Sequence, residues 1–374
     1  MSDAAQIPPQ PRPGLDAIKP YTPGKSEAGP GPVYKLSSNE SALGPAPSAI
    51  DALNTIGSSA HLYPDGNATK LREKLSDLHD IKIEQIVVGN GSDEILSLMV
   101  RAYSLPGDEA LMTRHGFSYY PLAAKAEGCV PVMADETDLR ADVDALLACV
   151  TDKTRLLFLA NPNNPTGTRL PADQLERLRA ELPSDVMMVL DGAYAEYIDQ
   201  PDYDGGLQMV RDSEEAGTNN VVMTRTFSKI YGLGGLRVGW CYAPSAVADI
   251  LQRVRGPFNV SAPALAAAEA ALDDQDFVAA NRRHNDEEKA RLVQSLRGAG
   301  LTVRNTEANF LLLEMAGPEA ALSLLTFCEE QHIFIRGLTS SNLPNYLRVS
   351  IGSREANDAF LKAATDWATA DHQG

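Results

Sequence analysis

Short apolar runs recur at 110–113, 130–133, 156–160, 187–190, 221–224 and 238–242, each four or five residues long. Amphipathic helical patterns, such as 174–182 and 246–254, separate or follow several of them. Strands this short and this apolar, alternating with helices, predict an α/β chain whose mainly parallel sheet is sandwiched by helices. Ligands of such sheets sit beyond the carboxyl ends of the strands. The informative residues are therefore those that follow each run.

After about residue 264 the texture changes. An alanine-rich helical stretch leads into the charged segment 281–296, and strands at 301–303, 309–314, 333–336 and 346–350 follow with helices between. The 374 residues thus divide into a flexible, proline-rich tail at 1–13, a large ligand-binding domain at 45–265, and a smaller α+β domain made of 14–44 with 266–374.

Lys229 lies in Thr-Arg-Thr-Phe-Ser-Lys-Ile-Tyr-Gly, just past the 221–224 run, with Arg237 eight residues on. An amine so placed can form a Schiff base with an aldehyde cofactor, while Thr226, Ser228 and Arg237 hold that cofactor's phosphate. By itself the stretch fits a surface lysine equally well. Three other strand ends add to it. Val-Val-Gly-Asn-Gly-Ser-Asp-Glu94 is a strand, a glycine turn and a helix start capped by Ser92, and Asp93 and Glu94 stand where a dinucleotide fingerprint needs its third glycine. Ala160-Asn-Pro-Asn-Asn-Pro-Thr-Gly167 projects Asn164 from an extended turn, and Val-Leu-Asp-Gly-Ala-Tyr194 sets Asp191 at a strand end with Tyr194 close behind. A carboxylate there needs a cation or several hydrogen bonds. The protonated ring nitrogen of pyridoxal phosphate is such a cation, and Tyr194 and Asn164 could both reach its 3-oxygen. The stretch Lys-Leu-Ser-Ser-Asn-Glu-Ser-Ala-Leu-Gly-Pro45 reads locally as a short strand breaking into a surface connection.

With 33 basic against 50 acidic residues, a formal charge of −17 and no basic run, the chain is not expected to bind nucleic acid or an anionic membrane. An anionic ligand must be met by a few local arginines. The four cysteines show no metal-type spacing and suit a reducing compartment, so no metal site is expected. With neither a signal peptide nor a membrane-length apolar run in view, the expected location is cytoplasmic.

Taken together, these stretches, with Pro-Tyr-Thr-Pro-Gly-Lys25, Tyr-Pro-Asp-Gly66 and Gly-Leu-Arg237, resemble the fold type I, aspartate-aminotransferase-like family of pyridoxal-phosphate enzymes from about Tyr21 to Ser353. The likeness is greatest to its histidinol-phosphate aminotransferase branch. That resemblance implies pyridoxal 5'-phosphate held by Lys229 and by Asp191 at the pyridine nitrogen, with Tyr194 and Asn164 at the 3-oxygen. It implies Ser92, Asp93, Thr226, Ser228 and Arg237 around the phosphate, and Phe117 stacked on the ring where many relatives have tyrosine. Arg348 matches the substrate-anion arginine and Arg336 a second one in that branch. Tyr21 and Tyr63 would reach the neighbouring subunit's site, which implies a homodimer with shared active sites. The implied reaction converts L-histidinol phosphate and 2-oxoglutarate to imidazole-acetol phosphate and L-glutamate. Its rivals are an aromatic or broad-range amino acid aminotransferase, a decarboxylase acting on a phosphate-ester amino acid, and a cofactor-binding regulator.

Overall fold

A computed structural model of the chain describes residues 11–12, 14–18 and 31–370. In chain order its strands are β1 (Tyr34–Lys35), β2 (Ile86–Gly89), β3 (Glu109–Thr113), β4 (Val130–Ala134), the hairpin β5 (Glu136–Thr137) and β6 (Arg140–Ala141), β7 (Thr154–Ala160), β8 (Met187–Asp191), β9 (Val221–Thr226) and β10 (Gly239–Tyr242). The second half adds β11 (Thr302–Arg304), β12 (Phe310–Glu314), β13 (Ile333–Phe334), β14 (Arg336–Leu338) and β15 (Leu343–Ser350).

Seven strands form the large sheet in the order β2-β10-β9-β8-β7-β3-β4. β10 runs antiparallel to both its neighbours and the other strand pairs are parallel. The amino end of β10 therefore lies on the same edge as the carboxyl ends of the rest, and Gly239 pairs with Gly89 on one side and Thr226 on the other. The period of two sends Leu157, Leu159, Met188 and Leu190 into one core and Leu156, Phe158, Met187 and Val189 into another. Both faces are covered, which is why these strands read as continuous apolar runs. In the helix Thr69–His79, Leu71 and Leu75 are buried, whereas Leu78, which shares their spacing, is 41% exposed.

β11, β12, β15 and β14 make a second, antiparallel sheet. Its core joins Leu311, Leu313, Leu347 and Val349 to Leu324, Phe360 and Trp367 of the helices Pro318–Glu330 and Arg354–Thr369. The run expected as one strand at 333–336 is divided. Ile333–Phe334 pairs with β1, and Arg336–Leu338 pairs with β15. The helix Ala262–Asp273 and Val278 pack into the large-sheet core, and Leu292 and Leu296 into the second. The change of packing partner thus falls inside the helix Gln275–Gly298, downstream of the texture change near 265.

Candidate active site

One cavity of about 580 Å³ opens where the edge of the large sheet meets the second sheet. Of the residues singled out in the sequence it is lined by Ser92, Asp93, Phe117, Asn164, Asp191, Tyr194, Thr226, Ser228, Lys229, Arg237, Arg336 and Arg348. Tyr63 is not among them: it is 82% exposed, and its ring stacks on Phe258 at 4.8 Å. Tyr21 lies outside the described residues.

The turn after β9 shows how the chain presents an amine. Phe227, Ile230 and Leu233 are buried in the large-sheet core, so the intervening Ser228 and Lys229 face the cavity. The turn is fixed by Ser228 N–H on Thr226 Oγ1 at 3.1 Å, Gly232 N–H on the Lys229 carbonyl at 3.0 Å and Leu233 N–H on the Phe227 carbonyl at 2.9 Å. Lys229 Nζ donates to the Ser38 carbonyl at 3.4 Å and stands 5.7 Å from the centre of the Tyr194 ring.

Beside it, Arg237 donates to Ser228 Oγ at 3.1 Å, to the Gly234 carbonyl at 3.0 Å and to Asp93 Oδ2 at 3.0 Å. Gly91 is required here. Its φ is +79°, and a Cβ would fall 2.5 Å from the Arg237 guanidinium. The same residue corrects the expected helix cap. Gly91 is the cap of the helix Ser92–Tyr103, with Ser92 as its first residue, while Glu94 Oε2 accepts from Asn90 N–H at 2.5 Å. Ser92 makes no capping bond and lines the cavity instead. The hydroxyls of Ser92, Thr226 and Ser228 with Arg237 can receive a phosphate at that helix start.

Asp191 ends β8 only 3% exposed. Its Oδ2 accepts from Tyr120 Oη at 2.8 Å, and Oδ1 accepts from Thr224 Oγ1 at 3.3 Å and Ala193 N–H at 3.2 Å. Burial raises its pKa, opposed first by the Tyr120 hydrogen bond. Sequence reasoning missed Tyr120. It follows Phe117 by one helical turn, meets that ring edge-on at 5.6 Å and stacks on Phe158 at 5.1 Å. The helix pattern that could have located it, in Tyr119–Ala126, does not tell Tyr119 from Tyr120. Gly192, next to Asp191, turns away from the cavity toward Arg225, whose buried guanidinium pairs with Glu196 at 3.4 Å.

The other end of the cavity comes from the second sheet. Arg336 and Arg348 are direct cross-strand partners on β14 and β15 and share one face. Like charges placed opposite each other cost stability unless an anion lies between them. Arg348 donates to Asn164 Oδ1 and, at 2.8 Å, to the Ser37 carbonyl. Within the stretch read locally as a surface connection, residues 36–39 thus form an internal wall, while Lys35, Glu40 and Leu43 are exposed. Ser37 is 3% and Asn39 1% exposed, because the chain here is hydrogen-bonded between Tyr194, after β8, and Arg348 and Ser350 of the second sheet. Around the cavity Lys229, Arg237, Arg336 and Arg348 face two carboxylates, Asp93 and Asp191, although the whole chain carries −17.

Residues 32–363 match the model of the aminotransferase class I and II family. The histidinol-phosphate aminotransferase of Paramagnetospirillum magneticum is 47% identical over 363 residues, 96% of this chain and 98% of that relative. The chain belongs to the class I and II aminotransferases, among the histidinol-phosphate aminotransferases. The Rhodospirillum centenum member is 45% identical over 96% of this chain and 98% of its own length. The crystal structure of the Sinorhizobium meliloti histidinol-phosphate aminotransferase, in complex with pyridoxal-5'-phosphate, superposes with a TM-score of 0.83 at 27% identity over 90% of this chain and 91% of that one. Aspartate aminotransferase of Thermus thermophilus shares the fold, with a TM-score of 0.78 at 21% identity over 91% of this chain and 96% of that one. This aminotransferase therefore has the fold type I architecture, a large, mostly parallel sheet flanked by helices.

Proposed function

We propose that the chain transfers the amino group of L-histidinol phosphate to 2-oxoglutarate, using pyridoxal 5'-phosphate and giving imidazole-acetol phosphate and L-glutamate. The observation that carries the reading is the Arg336–Arg348 pair in the same cavity as Lys229 and Asp191. Two guanidinium forks suit a dianionic phosphate, and either one suits the carboxylates of the second substrate.

The residues present fit the cofactor. Asp191 is a carboxyl whose pKa is raised by burial, and the cofactor's ring nitrogen would supply a cation for it. Three hydroxyls and Arg237 match its phosphate at the Gly91 turn, Phe117 its ring face, and Tyr194 with Asn164 its 3-oxygen. When bound, the cofactor supplies an aldehyde that takes up the amino group and a ring that accepts the electrons left on the donor carbon. Asp191 would keep the ring nitrogen protonated. Lys229 Nζ would act as general base on the donor carbon and as general acid in giving that proton back. Arg336 and Arg348 hold the anionic end of the substrate so that this carbon stays within reach of Lys229.

The enzyme is further read as a homodimer in which Tyr63, exposed in the single chain, joins the partner's site. The four free cysteines support a reducing, cytoplasmic setting.

The test is the visible spectrum of cofactor-loaded protein before and after histidinol phosphate, followed by addition of 2-oxoglutarate with a coupled assay for glutamate. Loss of the visible band on the first addition, and its return with glutamate formation on the second, are expected. A band that ignores histidinol phosphate but responds to phenylalanine moves the function to aromatic transamination. No band at all in protein supplied with the cofactor overturns the reading.

A further inference from the structure

Asn39 lines the cavity in a left-handed backbone conformation, φ 56°, and its polar groups are engaged in a definite pattern. Its backbone N–H donates to Ser350 Oγ at 2.8 Å, and its carbonyl accepts from Asn309 Nδ2 at 3.1 Å. Because Ser350 Oγ accepts from that N–H, its own hydrogen is left to donate, and it reaches Asn39 Oδ1 at 3.2 Å. The reverse amide orientation would leave the Ser350 hydrogen facing a donor. Asn39 Nδ2 is thereby turned to Tyr194, 2.8 Å from its Oη. An amide nitrogen only donates, so the tyrosine oxygen accepts and its single hydrogen points elsewhere. Tyr194 is itself 2% exposed and held edge-on by Phe310, the cross-strand partner of Ser350, at 5.6 Å.

We propose that Asn39 is a positioning residue that fixes Tyr194 as a hydrogen-bond donor toward the 3-oxygen of the cofactor, and that Ser350 sets the orientation of Asn39. The proposal rests on the cofactor reading above. A donor on the 3-oxygen draws off negative charge that would otherwise hold a proton on the neighbouring Lys229–cofactor nitrogen, so the chromophore gives up that proton at lower pH. The strand that carries Arg348 also carries Ser350, two residues on and on the same face, so one strand serves both the substrate anion and the donor. The other ionisable groups coupled to Tyr194 or lining the same cavity are Lys229, Tyr119, Tyr120, Tyr197, Asp93, Asp191, Arg237, Arg336 and Arg348, and the substitutions below leave all of them in place, Asn39→Asp adding one carboxylate.

The experiment is a pH titration of the visible band in cofactor-loaded wild type, Asn39→Ala, Asn39→Asp, Ser350→Ala, Tyr194→Phe and Asn39→Ala/Tyr194→Phe, with far-ultraviolet circular dichroism as a folding control. Asn39→Ala should raise the midpoint by about half a pH unit to one, the worth of a single hydrogen bond. Asn39→Asp should raise it further, since a carboxylate accepts the tyrosine hydrogen and turns it from the cofactor. Ser350→Ala should move it in the same direction by less. The double variant should titrate like Tyr194→Phe alone. Midpoints equal to wild type in both Asn39 variants, or an Asn39→Ala shift that persists in full without the tyrosine hydroxyl, would overturn the proposal. Should Asn39→Ala not fold, Asn39→Asp is compared with Asn39→Asp/Tyr194→Phe: a rise that shrinks without the tyrosine hydroxyl supports the proposal, and one that persists in full is the added charge alone and overturns it. Absence of the band from wild type as well as every variant refutes the cofactor reading first, and is told apart by that uniformity.

Discussion

At one end of the cavity Asp191, Thr226, Ser228, Lys229 and Arg237 come from the ends of neighbouring strands of one sheet and the turns that follow them. At the other end Arg336 and Arg348 come from a different sheet, and the wall between the ends is the stretch from Ser37 to Asn39, with Ser37 311 residues from Arg348 in sequence. The first end matches its charges internally, Arg237 with Asp93, and gives Asp191 three hydrogen-bond donors. The second sets two cations face to face, and Arg336 has no ion-pair partner among the described residues. On the function proposed above, the difference is that between a surface made to keep a resident group and one made to exchange an anion at every turnover.

The comparison can be broken most severely at Lys229. Lys229→Ala should abolish the covalent visible band and lower turnover by at least about 10²–10⁴-fold, the range for losing a general acid–base group. A coupled assay showing near-native turnover would end the assignment of that end. Acid comes next, and it acts away from the cavity. Glu288, 5% exposed between the helices Gln275–Gly298 and Arg354–Thr369, would be raised in pKa by burial, but hydrogen bonds from Arg291, Asn357 and Arg354 outweigh that and hold it down at about 2. A depressed carboxyl contributes its stability in full above the unfolded pKa of 4.5 and loses it as pH falls toward 2, an effect of about 3 kcal/mol. Urea unfolding of wild type should therefore weaken between pH 5 and 3, and Glu288→Gln should flatten that slope. Equal slopes would show that the carboxylate does not hold the helices Gln275–Gly298 and Arg354–Thr369 together.

Arg348→Ala should cut kcat/KM for histidinol phosphate by about 10–100-fold, the worth of hydrogen bonds to a charged group, while leaving the visible band in place. Loss of the band would mean that the two ends are not separable. Arg336→Ala should have the smallest effect, about tenfold on histidinol phosphate and little on phenylalanine. Equal losses on the two substrates, measured side by side, would remove phosphate selectivity from that residue.

What could be read in advance follows the same division. The parallel sheet was legible because strands buried on both faces carry unbroken apolar runs, and Asp191, Asn164 and Lys229 were legible because each follows such a run within a few residues. Ser92 was misread as a cap because Gly91 takes that role through a positive φ that a glycine-rich turn allows but does not announce.

Local sequence determined which residues stand at the sheet edge, since strand length, apolar period and turn chemistry act over a few residues. Tertiary structure alone decided that Arg336 faces Arg348, that Tyr120 rather than Tyr119 reaches Asp191, and that Asn39 binds Tyr194 and Ser350. Those are contacts between segments far apart in the chain. Their register is set by packing and by the need to pair buried polar groups, and no short stretch of sequence carries that information.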